Sequence, residues 1–145
     1  NICRSPMAEA VMQKLVEEAG LSSEIQVDSA GTGSWHTGEK AHRGTRQILQ
    51  KHGIAYNGRA RQVTAADMQS NKSYIIAMDS SNLDDLHRRF GSHARLHRLL
   101  DFASQATTRD VPDPYYTGDF ETVYQLVLDG CQGLLAHITT QENLT

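Results

Sequence analysis

The chain has 145 residues, the length of one ordinary domain that can bury a hydrophobic core. Its formal net charge of −3 provides no basic surface for nucleic acid or for an anionic membrane. No apolar run approaches the roughly 20 residues that span a bilayer. The two cysteines, Cys3 and Cys131, form no disulfide framework, so we expect a cytoplasmic protein.

The first predicted element is a helix that begins within the opening residues 1–6 (NICRSP). Ser5 suits the N-cap, Pro6 suits the first helical position, and Gly20 can close the helix in the left-handed conformation. The free N–H groups and the dipole at the start of a helix favour an anion. The opening residues are therefore typical of a phosphate-binding loop that runs into a helix.

The central part of the chain alternates between short strands and helices. We predict strands at residues 25–27, 73–78 and 94–97, of which the second is almost continuously apolar. Helices are predicted over residues 43–52, ended by Gly53, and 83–90, capped by Ser80 or Ser81 and ended by Gly91. Thr64 and Asp67 indicate a capped helical turn between them.

The last predicted helix has the clearest amphipathic pattern of the chain. Its apolar stripe consists of Phe120, Val123, Tyr124, Val127, Cys131, Leu134, Leu135 and Ile138. The alternation of strands and helices predicts one α/β domain over residues 1–145, a doubly wound four-stranded parallel sheet with helices on both faces. The first strand is expected before Asn1, outside the sequence. Ligands of such folds lie beyond the carboxyl ends of the strands.

Arg4 is the first candidate site residue. A guanidinium meets two phosphate oxygens at once, whereas a surface arginine in the first turn of a helix is disfavoured by the helix dipole. Ser5 next to it can either cap the helix or donate a hydrogen bond to a thiolate.

Asp113 is the second candidate and lies in residues 111–116 (VPDPYY). Two prolines restrict the backbone around its carboxylate, which suits a general acid that must reach a leaving-group oxygen. The same Asp-Pro pair is also common in turns, and taken alone the motif favours a turn.

Together these motifs resemble the low-molecular-weight protein tyrosine phosphatases. The resemblance covers most of the chain in the order of the family. The segments that carry it are residues 1–6 (NICRSP), 28–32 (DSAGT), Trp35, 60–64 (ARQVT), 77–82 (AMDSSN) and 113–116 (DPYY). The family's loop has a cysteine, five further residues, then Arg and Ser or Thr. The nucleophilic cysteine is thus expected three residues before Asn1, and Cys3 would be its neighbour in the phosphate-binding loop.

The resemblance implies a role for each matching residue. Arg4 would bind the phosphate and stabilise the transition state, and Ser5 would lower the pKa of the nucleophile. Asn1 would hold the loop in a left-handed shape, supported by the Ser29 hydroxyl. Ile2 and Cys3 would complete the loop.

The leaving-group side follows from the same resemblance. Asp113 would protonate the tyrosyl oxygen and then activate water. Trp35 and Tyr115 would wall a slot that admits phenyl phosphate and excludes the shorter phosphoserine. Asp28 and Arg61 are predicted to form an ion pair.

Several alternatives remain at this point. A thioredoxin-coupled arsenate reductase would need cysteines between Cys3 and Cys131, and there are none. A phosphoarginine phosphatase typically has Thr where Ile2 stands. A non-catalytic phosphotyrosine-binding domain would fit if the nucleophile were absent. We expect phosphotyrosine-containing proteins as partners, a monomer, and neither a cofactor nor a metal site.

Overall fold

The computed structural model describes residues 3–31, 37–68, 73–91, 93 and 95–144. The helices in these residues are α1 (Arg4–Glu18), α2 (Arg43–Lys51), α3 (Ser80–Phe90), α4 (Pro114–Thr117) and α5 (Phe120–Gln141). The strands are β1 (Ile75–Ala77) and β2 (Leu96–Arg98), and single 3₁₀ turns cover Ala65–Met68 and Leu99–Phe102. None of the helices in the described ranges has the length and apolar character that crossing a bilayer requires.

The two strands pair in parallel, with Ile75 opposite Leu96 and Ala77 opposite Arg98. Helix α3 connects them, as a parallel pair requires. The chain therefore forms an α/β fold with a parallel sheet, as the sequence predicted. Both strands are shorter than predicted, because only residues 75–77 and 96–98 exchange the hydrogen bonds of a ladder.

The strand predicted at residues 25–27 is not formed among the described residues, which have no regular secondary structure there. A strand needs a neighbour at about 4.8 Å for its backbone hydrogen bonds, and one strand of the predicted sheet is expected before Asn1. Among the described residues the sheet thus has two of the four predicted strands, and the strand expected before Asn1 stays a prediction.

The main hydrophobic core lies between α1 and α5. The apolar stripe predicted for α5 is buried at Val123, Val127 and Cys131, and these residues belong to the same cluster as Met7 and Val11 of α1. A glycine allows α5 to pack tightly on the 3₁₀ turn after β2: a Cβ on Gly133 would lie 1.7 Å from the carbonyl oxygen of Phe102. Close packing of this kind fixes the position of β2 relative to α5.

The glycine stops are confirmed, whereas two predicted N-caps are wrong. Gly20, Gly53 and Gly91 have φ values of 73°, 72° and 81°, the left-handed region that glycine adopts without strain. Helix α1 begins two residues earlier than predicted, at Arg4 with Cys3 as N-cap, so Ser5 lies inside its first turn. Helix α3 is capped by Asp79, whose carboxylate is one residue nearer to the strand than the predicted serines.

Candidate active site

The buried guanidinium of Arg4 lies at the start of α1, beside the carboxyl end of β1. Its Nη1 donates to Oδ2 of Asp79 at 2.6 Å and to the carbonyl oxygen of Val111 at 2.7 Å. Arg4 is only 5% exposed. A cation is unfavourable at the positive end of a helix, and the carboxylate of Asp79 offsets that cost.

Asp79 is a site residue that the sequence reasoning missed. One of its oxygens, Oδ1, accepts from the backbone N–H of Asn82 at 2.7 Å and caps α3, while the other oxygen binds Arg4. The side chain thereby fixes Arg4 to the first turn of α3. The signal that could have found it is its place directly after a buried strand, where site residues of parallel sheets gather.

The loop that carries Asp113 is attached to the same end of the sheet. The N–H of Val111 donates to the carbonyl oxygen of Met78 at 2.9 Å. One residue earlier, Oδ1 of Asp110 accepts from the backbone N–H and the hydroxyl of Ser80, at 2.9 and 2.8 Å. Three hydrogen bonds therefore hold residues 110 and 111 against the end of β1 and the start of α3, shortly before Asp113 in the chain.

Asp113 lies in a turn, and the turn brings its carboxylate near the start of α1. Its Oδ1 accepts from the N–H of Tyr115 at 3.0 Å and caps the short helix α4, with Pro114 in the first helical position. The carboxylate is also close enough to Cys3 to raise the pKa of that thiol. The turn prediction is confirmed in this sense, and the same turn places a half-buried carboxylate beside the loop that begins α1.

Cys3 is buried and protonated rather than reactive. It is 1% exposed, and its carbonyl oxygen accepts from the hydroxyl of Thr45 in α2 at 2.8 Å. Burial, together with the negative charge of Asp113, raises the pKa of the Cys3 thiol to about 11. A thiol of this kind is a poor nucleophile at neutral pH, which agrees with the expectation that Cys3 is a neighbour of the nucleophile.

Ser29 lies in a small hydrogen-bond network with Glu9 of α1. Its hydroxyl donates to Oε1 of Glu9 at 2.5 Å, and the hydroxyl of Tyr56 donates to the same oxygen at 2.8 Å. Burial and the hydrogen bond to Glu9 hold the pKa of Tyr56 well above its usual range. The structure thus ties Ser29 to α1, whereas its expected contact with Asn1 lies outside the described residues.

The predicted ion pair between Asp28 and Arg61 is present at 2.9 Å. Arg61 also binds Asp67, with two hydrogen bonds of 3.0 Å, and this second partner was not foreseen. Hydrogen bonding to Arg61 holds the pKa of Asp67 below its usual range. The three side chains connect residues 28–31 to the 3₁₀ turn at residues 65–68.

Tyr115 and Tyr116 lie on the outer side of the Asp113 loop. They are 54% and 85% exposed, and their rings meet edge to face with centroids 5.4 Å apart. The ring of Tyr115 also meets His42 at 5.7 Å. Trp35, Asn1 and Ile2, the other residues predicted for the slot and the loop, lie outside the described residues.

The structure therefore places Cys3, Arg4, Ser5, Asp113 and Tyr115 at one end of the sheet. A buried cation lies at the start of a helix, a half-buried carboxylate lies on the adjoining loop, and aromatic rings lie at the surface. This arrangement can hold an anion and deliver a proton next to it. In the described ranges, no group of three or more His, Cys, Asp or Glu side chains is arranged to hold a metal ion.

Comparison with known proteins gives a consistent result over the whole chain. The family model "Low molecular weight phosphotyrosine protein phosphatase" matches residues 1–144. The low molecular weight protein-tyrosine-phosphatase YfkJ of Bacillus subtilis is 47% identical over 147 residues, which cover 99% of this chain and 94% of YfkJ. The low molecular weight protein-tyrosine-phosphatase PtpA of Staphylococcus epidermidis is 44% identical over 145 residues, which cover 99% of this chain and 92% of PtpA.

Solved structures agree with these sequence matches. The crystal structure of YfkJ superposes with a TM-score of 0.91 and covers 97% of this chain and 90% of that one. A protein tyrosine phosphatase from Entamoeba histolytica, 34% identical, superposes with a TM-score of 0.88 and covers 100% and 94% of the two chains. The chain belongs to the low-molecular-weight phosphotyrosine protein phosphatase family.

Proposed function

We propose that this protein hydrolyses phosphotyrosine in proteins through a cysteinyl-phosphate intermediate. The observation that carries the proposal is the buried guanidinium of Arg4 at the start of α1, with the carboxylate of Asp113 on the adjoining loop. The nucleophilic thiolate is expected three residues before Asn1, at a position that the sequence does not cover.

On the phosphate side, Arg4 and the N–H groups at the start of α1 bind the phosphate oxygens. Nη1 of Arg4 is fixed by Asp79 and Val111, so the orientation of the guanidinium is set before the substrate arrives. The thiolate attacks phosphorus, a sulfur–phosphorus bond forms, and the bond to the phenolic oxygen breaks. Ser5 assists by donating a hydrogen bond to the thiolate, a role that its place inside the first turn leaves open.

On the leaving-group side, Asp113 gives its proton to the phenolic oxygen as that oxygen departs. The carboxylate then takes a proton from water, which attacks the phosphorus and releases inorganic phosphate and the thiolate. Tyr115, together with Trp35, binds the phenyl ring and favours phosphotyrosine over shorter phosphoserine.

The variant Asp113→Asn tests the general-acid step. Asparagine is as good an N-cap as aspartate, so α4 should stay intact while the transferable proton is lost. We expect kcat/KM for phenyl phosphate, whose leaving group needs a proton, to fall about 10²- to 10⁴-fold, because kcat/KM reports the step in which the phenol leaves and not the later hydrolysis of the intermediate. The loss should be clearly smaller for para-nitrophenyl phosphate, whose leaving group departs easily as an anion.

The matched control is Asp119→Asn, which changes a carboxylate that caps α5 in the same way. It should leave the turnover of both substrates within about twofold of the wild type. Equal losses with both substrates in Asp113→Asn would assign Asp113 to the fold rather than to proton transfer. Hydrolysis of phosphoarginine in preference to phosphotyrosine would replace the proposed substrate, and phosphotyrosine binding without turnover would favour the binding-domain alternative.

A further inference from the structure

The imidazole ring of His42 lies between two aromatic side chains next to the candidate active site. It stacks on Phe120 with ring centroids 5.2 Å apart and an angle of 20° between the planes. Its edge meets Tyr115 at 5.7 Å and 73°. The three rings form a continuous group, which we call the aromatic bridge, and it joins the start of α2, the start of α5 and the loop of Asp113.

A hydrogen bond fixes the orientation of the His42 ring. His42 is the N-cap of α2, and its Nδ1 accepts from the backbone N–H of Gly44 at 3.0 Å. Nδ1 must be unprotonated to accept, so the ring is held in one tautomer and at one angle. The ring is thus more rigid than a side chain that only packs.

The backbone around His42 is equally constrained. A Cβ on Gly44 would lie 2.3 Å from the ring of Phe120, so only glycine lets the first turn of α2 approach that ring so closely. In the same turn, the hydroxyl of Thr45, which is fully buried, donates to the carbonyl oxygen of Cys3. The start of α2 therefore has a fixed distance both to Phe120 and to the loop that begins α1.

The side chain of Tyr115, in contrast, is only weakly fixed by its own loop. It is 54% exposed and lies on a helix of one turn, and its neighbour Tyr116 is more exposed still. In the part of the chain that the structure describes, the contact with His42 is the aromatic pairing that links Tyr115 to an element beyond its own loop. An edge-to-face pair of this kind favours one position of the Tyr115 ring.

We propose that His42 is a positioning residue that holds the ring of Tyr115 at the mouth of the active site and so sets the preference for aromatic phosphate esters. This inference rests on the proposed function, because it assigns Tyr115 to the wall that binds the phenyl group. His42 acts through Tyr115 and takes no part in proton transfer or phosphate binding.

Two substitutions test separately the ring contacts of His42 and its function as the N-cap of α2. His42→Asn keeps an N-cap acceptor for Gly44 and removes the ring. His42→Phe keeps a ring that can stack on Phe120 and Tyr115 and removes the acceptor. The readouts are KM and kcat for phenyl phosphate and for a small alkyl phosphate, the thermal midpoint, and the Kd values of phenylphosphonate and inorganic phosphate. All are measured on the full-length protein.

For His42→Asn we expect KM for phenyl phosphate and Kd for phenylphosphonate to rise about 2- to 10-fold. The values of kcat, of KM for the alkyl ester and of Kd for inorganic phosphate should stay the same. For His42→Phe we expect the thermal midpoint to fall by about 2–4 °C from the lost cap, with KM for phenyl phosphate unchanged.

The outcomes distinguish this proposal from the proposed function. An unchanged preference for aryl over alkyl ligands in His42→Asn would overturn the positioning role. A loss of that preference in His42→Phe equal to that in His42→Asn would overturn it too, because the cap rather than the ring would then matter. If the wild-type protein binds phenylphosphonate in preference to phosphate but hydrolyses no aryl phosphate, the proposed function fails while the binding ratios still decide on His42.

Discussion

The two sides of the candidate active site are built in different ways. On the phosphate side, Cys3 and Arg4 are 1% and 5% exposed, and Arg4 is bound to Asp79 and to the backbone of Val111. On the leaving-group side, Tyr115 and Tyr116 are 54% and 85% exposed and contact mainly other aromatic rings.

This difference separates stability from specificity. A buried charge that is bound by a partner contributes to the fold, and removing the partner leaves it uncompensated. Exposed rings contribute little to the fold, so they can change without unfolding the protein. We therefore expect changes on the phosphate side to lower stability and turnover together, and changes on the leaving-group side to alter mainly KM.

The largest effect is expected from Asp79→Asn. Asparagine can still cap α3 through its oxygen, but its amide group cannot offset the buried charge of Arg4. Since Asp79 is about one fifth exposed, we expect the free energy of unfolding to fall by about 3 kcal/mol, the lower end for a broken buried pair. A displaced guanidinium should also lower kcat/KM by about 10- to 100-fold. Urea denaturation and steady-state kinetics measure the two effects.

The surface pair between Arg61 and Asp67 offers the matched control. Its side chains are 38% and 28% exposed, and pairs of this kind contribute about 1 kcal/mol or less. Asp67→Asn should accordingly cost about 1 kcal/mol at most and leave kcat/KM unchanged. If Asp79→Asn were no more destabilising than Asp67→Asn, the phosphate side would not depend on its buried ion pair.

The second effect concerns Cys3 and alkaline pH. The pKa of its thiol is raised from 9.0 to about 11 in the folded protein, so the unfolded chain loses this proton first as the pH rises. The free energy of unfolding should therefore fall between pH 9 and pH 11, by about 1.4 kcal/mol per pH unit from this group. In Cys3→Ala the loss between pH 8 and pH 10.5 should be smaller than in the wild type by about 2 kcal/mol.

The pKa of the second thiol, that of Cys131, is shifted in the same direction. Burial alone raises its pKa to about 12, and Cys131→Ala should reduce the alkaline loss by a similar amount. Denaturation curves at several pH values test both variants. A steeper alkaline loss in Cys3→Ala than in the wild type would mean that the folded protein stabilises the Cys3 thiolate, as expected of a nucleophile and not of a buried neighbour.

The elements that follow from local sequence were predicted well. Helix α2 ends just before Gly53, and helix α5 begins at Phe120, the first residue of the predicted apolar stripe. Both follow from local sequence because helical hydrogen bonds form within the segment itself. The segment 25–27 has the apolar character of a strand but forms no ladder among the described residues, because pairing depends on a neighbour that local sequence does not specify.

The same distinction applies to the candidate site. Arg4 and Asp113 could be named as candidates because their chemistry is contained in short motifs. Asp79 and His42 could not, because their contacts are with partners 75 and 78 positions away, Arg4 and Phe120. The roles predicted for Asn1, Ile2 and Trp35 lie outside the described residues and stay predictions.

The smallest effect is expected on the leaving-group side, from Tyr115→Ala. Its ring contacts only His42 and Tyr116 among the ring pairs of the described residues, so its loss should leave the thermal midpoint within about 1 °C. KM for phenyl phosphate should rise about 10-fold with kcat nearly unchanged, since the loss of an aromatic contact worth about 1.4 kcal/mol changes binding tenfold. Tyr116→Ala removes a more exposed ring and should change KM less than threefold. A rise in KM of less than threefold for Tyr115→Ala as well would show that the Tyr115 ring does not line the slot.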